Sequence, residues 1–249
     1  TRDEFGVYGY LYSFAMAMSL VFTFGFHASV PKLYADTKDD KQAQGSMLFT
    51  LSLTLIVGLV LIFSLISLIG IDEYFFGLIN RNEEMKNFSY DTYRPYLLVA
   101  MASMVISNLL TYYFVAAEKI KNIQAFNLIR FFFANGLAIL LLYTAPDADA
   151  ALLRLSVTYI VELLLCCVFS FFLCKNFTFK FSKYYLYKGL KIGLPLSFVA
   201  LLNAITNFGD KHFVMIYCGA AIVGVYNLAS LLATIPVIVY QSFNFIWLP

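Results

Sequence analysis

MLFTLSLTLIVGLVLIFSLISLIG, residues 47–70, carries no charged residue and is longer than the ~20 residues a helix needs to cross the hydrocarbon core of a bilayer. Its apolar residues do not keep to one side, as they do on a helix that turns its other face to water. The solvent for such a segment is lipid, or the inside of a bundle in lipid. There the backbone must satisfy its own hydrogen bonds, so the segment is a helix or part of a closed barrel. A barrel needs ~10-residue segments that alternate apolar and polar, and the chain has none. Residues 47–70 therefore read as a transmembrane helix.

Six other segments have the same character: 9–30, 96–117, 123–143, 154–174, 193–218 and 223–247. The expected fold is all-α, a polytopic membrane protein with about seven transmembrane helices. Composition agrees. Of 249 residues, 61% are hydrophobic and 13% charged, with a mean hydropathy of +0.77, whereas about a quarter of a soluble domain is charged. Of the 17 basic and 15 acidic residues, all but Arg130 and Glu162 lie outside these segments or at their ends. A net charge of +2, with no basic stripe free of the apolar segments, argues against a nucleic-acid partner.

The charges between the segments set the orientation. Connections 31–46, 118–122 and 175–192 share one side and hold Lys32, Lys38, Lys41, Lys119, Lys121, Lys175, Lys180, Lys183, Lys188 and Lys191. The other side holds Arg2, Arg81, Lys86, Arg94 and Arg154, and most of the acids. Basic residues concentrate on the cytoplasmic side, so the lysine-rich side is cytoplasmic and residue 1 lies outside. Connection 71–95 is long and charged, and is expected to be partly structured. The stretch KNFTFKFSKYYLYKGLKI, 175–192, mixes lysines with aromatics. Helical spacing places Lys180, Lys183, Lys188 and Lys191 within about 140° of arc. It reads as an interfacial anchor, or else as a specific lipid site.

Cysteines 166, 167, 174 and 218 lie in or beside apolar runs without metal-ligand spacing, and His27 and His212 stand alone. Neither a disulfide framework nor a metal site is supported, and no cofactor is expected. Asn87-Phe-Ser and Asn176-Phe-Thr match the glycosylation sequon, the second on the lysine-rich side. With Thr at residue 1 and no signal peptide, the chain reads as an internal piece of a longer one.

Short motifs occur in order along the chain: D-E-F-G-V-Y (3–8), G-F-H-A-S-V-P-K-L-Y (25–34), G-L-P-L (193–196), D-K-H-F-V-M-I-Y (210–217), G-V-Y-N-L-A (224–229) and F-N-F-I-W-L-P (243–249). Together they resemble the bacterial polysaccharide-biosynthesis flippases, the O-antigen-type exporters of the MATE-like superfamily. The matching positions are Gly193, Pro195, Asp210, Lys211, Gly224, Tyr226, Trp247 and Pro249, with Lys211 where the family usually has Arg. The resemblance implies a two-lobe transporter of twelve to fourteen helices, of which this chain holds helices two to eight. Residues 1–174 would belong to the N-terminal lobe, 175–192 to a basic linker, and 193–249 to the start of the C-terminal lobe. It further implies a lipid-linked oligosaccharide (a polyprenyl diphosphate) as substrate. Other implied partners are membrane lipids and the polymerase machinery of polysaccharide synthesis. The location would be the cytoplasmic inner membrane.

Charge within lipid costs at least ~2.5–3.5 kcal/mol at a helix centre, so it usually faces the bundle interior. Arg130 shares a face with Gln124, Asn127 and Asn135, and Glu162 forms a stripe with Arg154 and Thr158. Antiparallel packing would put Arg130 and Glu162 ~7–8 Å apart in depth. Two readings stay open. The pair holds the first lobe together, or Arg130 lines a central cavity and binds pyrophosphate, for which guanidinium is well shaped. Asn203, Thr206, Asn207 and Asp210 share one face of the sixth segment, and Asn203 and Asn207 are further cavity candidates. Asn227, Ser230, Thr234 and Gln241 share a face of the seventh, and Ser103, Ser107, Thr111 and Glu118 a face of the third. Small polar residues of this kind commonly serve helix packing, and Asp210–Lys211 reads as a local ion pair. Pro195 and Pro236 are candidate kinks. The function expected is flipping a lipid-linked oligosaccharide, without enzymatic chemistry. The alternatives are a cation-coupled drug antiporter and a membrane polysaccharide polymerase or ligase. The last would need a large outer loop with catalytic groups, and 71–95 contains no His.

Overall fold

The computed structural model describes residues 2–77, 90–130, 132–133, 136–144, 150–173 and 180–247. These form α1 (Arg2–Phe22), α2 (Phe26–Asp36), α3 (Lys41–Ile69), α4 (Ile71–Gly77), α5 (Tyr90–Ala116), α6 (Ile120–Arg130), α7 (Gly136–Thr144), α8 (Ala150–Leu173), α9 (Lys183–Cys218) and α10 (Ala220–Trp247). No strand occurs among the described residues. Four helical stretches are long and apolar enough to cross a membrane: Glu4–Phe22, Lys41–Ile69, Tyr90–Ala116 and Lys183–Cys218. Shorter apolar helical stretches run over Val157–Val168 and Ala220–Ala233.

Local chemistry explains the ends. Asp40 caps α3, its carboxylate accepting from the backbone N–H of Gln42 and Ala43 at 2.8 and 3.0 Å. Gly70, with φ 76°, closes the same helix in the left-handed conformation that glycine adopts without strain. The end of α5 is a Schellman motif. The N–H of Lys119 bonds to the Phe114 carbonyl and that of Glu118 to the Val115 carbonyl. Its left-handed position is held by Glu118, at φ 56°.

Three expectations are corrected. Segment 9–30 is not one helix. Phe24 and Gly25 both turn left-handed, at φ 46° and 66°, and so separate α1 from α2. Segment 123–143 is divided between α6 and α7, with π-helical backbone at 132–133. The sixth helix begins at Lys183 rather than 193, so the basic stretch 183–192, read as linker, is the first part of α9. Connection 71–95 does contain structure, since α4 and the first turn of α5 lie within it. Pro31, Pro95, Pro195 and Pro236 all sit inside helices.

Burial sorts the helices into inner and outer. Of its apolar window, α1 buries 61% and α5 56%, but α3 only 17%. Leu61, Leu65, Leu68 and Ile69 on α3 are exposed, as a lipid-facing surface requires. The core gathers Tyr10, Leu11, Phe14, Phe26, Met47, Leu51, Leu97, Met101 and Phe114 around α1 and α5. Helix α1 packs against α5, α8, α9 and α10, and α5 packs along α8.

The three lysine-bearing connections meet at one end of the bundle. Ser46 donates to the Lys180 carbonyl at 2.7 Å, and Thr50 accepts from the Ser182 N–H at 2.9 Å. Lys188 pairs with Asp36, and Tyr113 donates to Gln44 at 3.1 Å. At the other end Asp72 is buried and ties α3, α4 and α5. It accepts from Ser67 at 2.7 Å and from Tyr90 at 3.1 Å, and lies 3.8 Å from the Arg94 Nε.

Candidate functional site

Two places in the bundle collect polar residues. The first is the seam where α1 meets α9 and α10. Helix α1 runs antiparallel to α9, so residues early in α1 face residues late in α9. Tyr10 is wholly buried, and its hydroxyl lies 2.9 Å from the His212 Nδ1. Both rings pack on Phe208, which also meets Phe14. One turn along α1, Ser13 accepts a hydrogen bond from the Lys211 Nζ while donating to the Gly9 carbonyl at 2.7 Å.

Close backbone approach makes this seam possible. A Cβ added at Gly6 would stand 1.9 Å from the Ala220 carbonyl oxygen and 3.1 Å from the Gly224 nitrogen. One added at Gly9 would stand 1.6 Å from the Asn227 side-chain nitrogen, and one at Gly25 would stand 2.0 Å from the Gly193 carbonyl oxygen. Small residues permit such contacts where no water drives helices together. Asn227 is buried here and its Nδ2 has no hydrogen-bond partner among the described residues.

Five positions that carried the resemblance meet on this seam or beside it: Gly193, Asp210, Lys211, Gly224 and Tyr226. The expected Asp210–Lys211 ion pair does not form. Lys211 reaches across to α1, whereas Asp210 is exposed and accepts from the Tyr226 hydroxyl at 3.4 Å. On a helix, neighbours in sequence point about 100° apart, so one faces α1 and the other does not. Pro195 lies within α9. Trp247 ends α10, its side chain is outside those described, and Pro249 is outside the described residues.

The second place is formed by α6 and α8, which pack together. Phe126 is wholly buried, and Arg130 stands one turn beyond it on the α6 backbone. Gln124 and Asn127 are exposed, and with Leu128 and Phe132 they line a shallow concavity. On α8 the stripe Tyr159, Glu162 and Cys166 is buried, so the Glu162 carboxyl is inside the bundle. Ser103 on α5 and Thr158 on α8 each have a buried hydroxyl without a partner among the described residues. The side chains of Arg130, Arg154 and Asn207 are outside those described, and with them the pairing of Arg130 with Glu162. Asn203 lies on the exposed face of α9 among Leu201, Leu202 and Ile205. Asn135, Cys174 and both sequons, at Asn87 and Asn176, are outside the described residues.

Gly9, Ser13 and Tyr10 were not anticipated from the sequence. The spacing Gly6-x-x-Gly9 on an apolar helix was the available signal. His27 and His212 each meet an aromatic ring, Tyr112 and Tyr10 respectively. Among the described residues no three His, Cys, Asp or Glu side chains come together as metal ligands would.

Compared with known proteins, the family model described as polysaccharide biosynthesis protein matches residues 1–249. No curated protein and no solved structure matches the chain.

Proposed function

This chain belongs to the family of polysaccharide biosynthesis proteins, and on that premise we propose that it flips a lipid-linked oligosaccharide across the cytoplasmic membrane. The observation that carries the proposal is a family match along the whole chain, on a bundle with membrane-length apolar helices. The substrate would be an undecaprenyl-diphosphate-linked sugar, moved from the inner to the outer leaflet. The role is transport, with no bond made or broken by the protein.

The mechanism proposed is alternating access. Helices α1 to α8 act as one lobe, and α9 and α10 open a second. The seam between them combines close approach at glycines with an aromatic cluster of Tyr10, Phe14, Phe208 and His212 and a hydrogen bond from Lys211 to Ser13. Arg130 meets the pyrophosphate, because a guanidinium offers paired donors to phosphate oxygens. Asn127, Asn203 and Asn207 offer amides to the sugar, and Glu162 sets the charge that Arg130 feels.

The test is export by the full-length protein carrying Arg130→Ala. Surface polysaccharide should fall to background while the protein remains in the membrane at its normal level. Full export by that variant removes Arg130 from the mechanism.

A further inference from the structure

The lysine-rich end holds a cleft between α2 and α9, lined by Lys32, Tyr184, Tyr187, Lys188, Lys191 and Ile192. One wall is fixed. Lys188 pairs with Asp36 on α2, donates to the Tyr184 hydroxyl oxygen at 3.0 Å, and lies 5.2 Å from the centre of that ring. Two side-chain hydroxyls of α3, Ser46 with the Lys180 carbonyl and Thr50 with the Ser182 N–H, hold the residues leading into α9. The other two cations differ. Lys32 and Lys191 are exposed and have no carboxylate partner among the described residues. Three ammonium groups against one carboxylate leave the cleft an unmet positive charge.

The surface leading away from the cleft says what kind of anion fits. On α9, residues 187, 191, 194, 198 and 202 fall within about 80° of one face. They are Tyr187, Lys191, Leu194, Phe198 and Leu202, all exposed. The face therefore begins with a phenol and an ammonium and continues for three turns as bare apolar surface. A free inorganic anion would use only its first part. A lipid phosphate with its chain uses all of it: oxygens toward Lys32 and Lys191, Tyr187 at headgroup depth, and hydrocarbon along Leu194, Phe198 and Leu202.

We propose that this cleft is a binding site for a lipid-borne phosphate at the cytoplasmic face, with Lys32 and Lys191 as its phosphate ligands. The site rests on the membrane fold and not on the identity of the transported substrate. Native mass spectrometry of the full chain in detergent tests it, by titration with phosphatidylglycerol, a polyprenyl phosphate, zwitterionic phosphatidylcholine and inorganic phosphate. Each surface lysine contributes about a fivefold factor to anionic-lipid affinity. Lys32→Gln/Lys191→Gln should weaken binding of one or both anionic lipids about 25-fold, and the lipid affected identifies the source. Lys119→Gln/Lys121→Gln removes equal charge from the same end and should leave that affinity unchanged, as should inorganic phosphate at millimolar concentration. Equal loss in the two double variants, no loss in the first, or displacement of the lipid by inorganic phosphate would each overturn the site.

Discussion

Gly6 and Gly9 stand about one turn apart on α1 and face the same neighbour, yet substitution should act on them differently. Alanine normally favours a helix interior over glycine by about 1 kcal/mol, so space decides the sign. At Gly9 the added methyl meets the amide of Asn227, a side chain that can be shortened. At Gly6 it meets the carbonyl of Ala220, which cannot. Gly9→Ala should therefore destabilise by about 1–3 kcal/mol, the usual cost of overpacking. Adding Asn227→Ala should recover most of that loss. Gly6→Ala should lose a similar amount, and trimming Asn227 should not restore it. Thermal unfolding in detergent of these four variants checks this, and rescue of Gly6→Ala by Asn227→Ala would overturn the assignment of its cost to the Ala220 carbonyl. Lys211 shows the same dependence on context. Its neighbour in sequence is an acid, but its partner in space is the hydroxyl of Ser13.

At the scale of elements, the breaks matter more than the helices. A left-handed pair at Phe24 and Gly25 turns an expected single span into α1 and α2. It also sets Gly25 against Gly193, where α2 begins its contact with α9. At the end of α5 the left-handed position of a Schellman motif is filled by Glu118, which is exposed. A non-glycine residue loses about 1–2 kcal/mol there relative to the right-handed form. Glu118→Gly should raise stability by about 1 kcal/mol, read as a higher melting temperature with no change in helix content by circular dichroism. An unchanged or lowered melting temperature would mean that the Glu118 side chain contributes as much as the strain removes. The early start of α9 has the wider consequence. By making 183–192 helical, it sets Lys188 and Lys191 on the helix that continues across the membrane.

At the scale of the molecule, the alternating access proposed above would require the contact of α2 with α9 to open or shift during transport. Lys188 and Asp36 meet across it. In a full-length protein with its native cysteines replaced, Asp36→Cys/Lys188→Cys joined by a short bifunctional maleimide should stop export. The same variant without the reagent should export. Undiminished export after complete crosslinking would show that this contact stays closed throughout transport. Much of the architecture was legible from residues alone, because a helix in lipid must be apolar along its whole length and its flanking lysines must stay in water. Those two facts determined the all-α fold, long apolar segments such as 47–70, and the gathering of Lys32, Lys119 and Lys180 at one end, but not where the other segments break. Order of motifs along the chain determined the family. Tertiary structure alone decided where the motif residues work. Contact between helices depends on rotation and depth, which lipid-facing apolar runs do not encode, since every face of such a run reads alike. Only packing shows that backbones touch at Gly6 and Gly25 while Asn227 fills the space at Gly9, that Lys211 serves α1 rather than Asp210, and that Lys32 and Lys191 border one cleft.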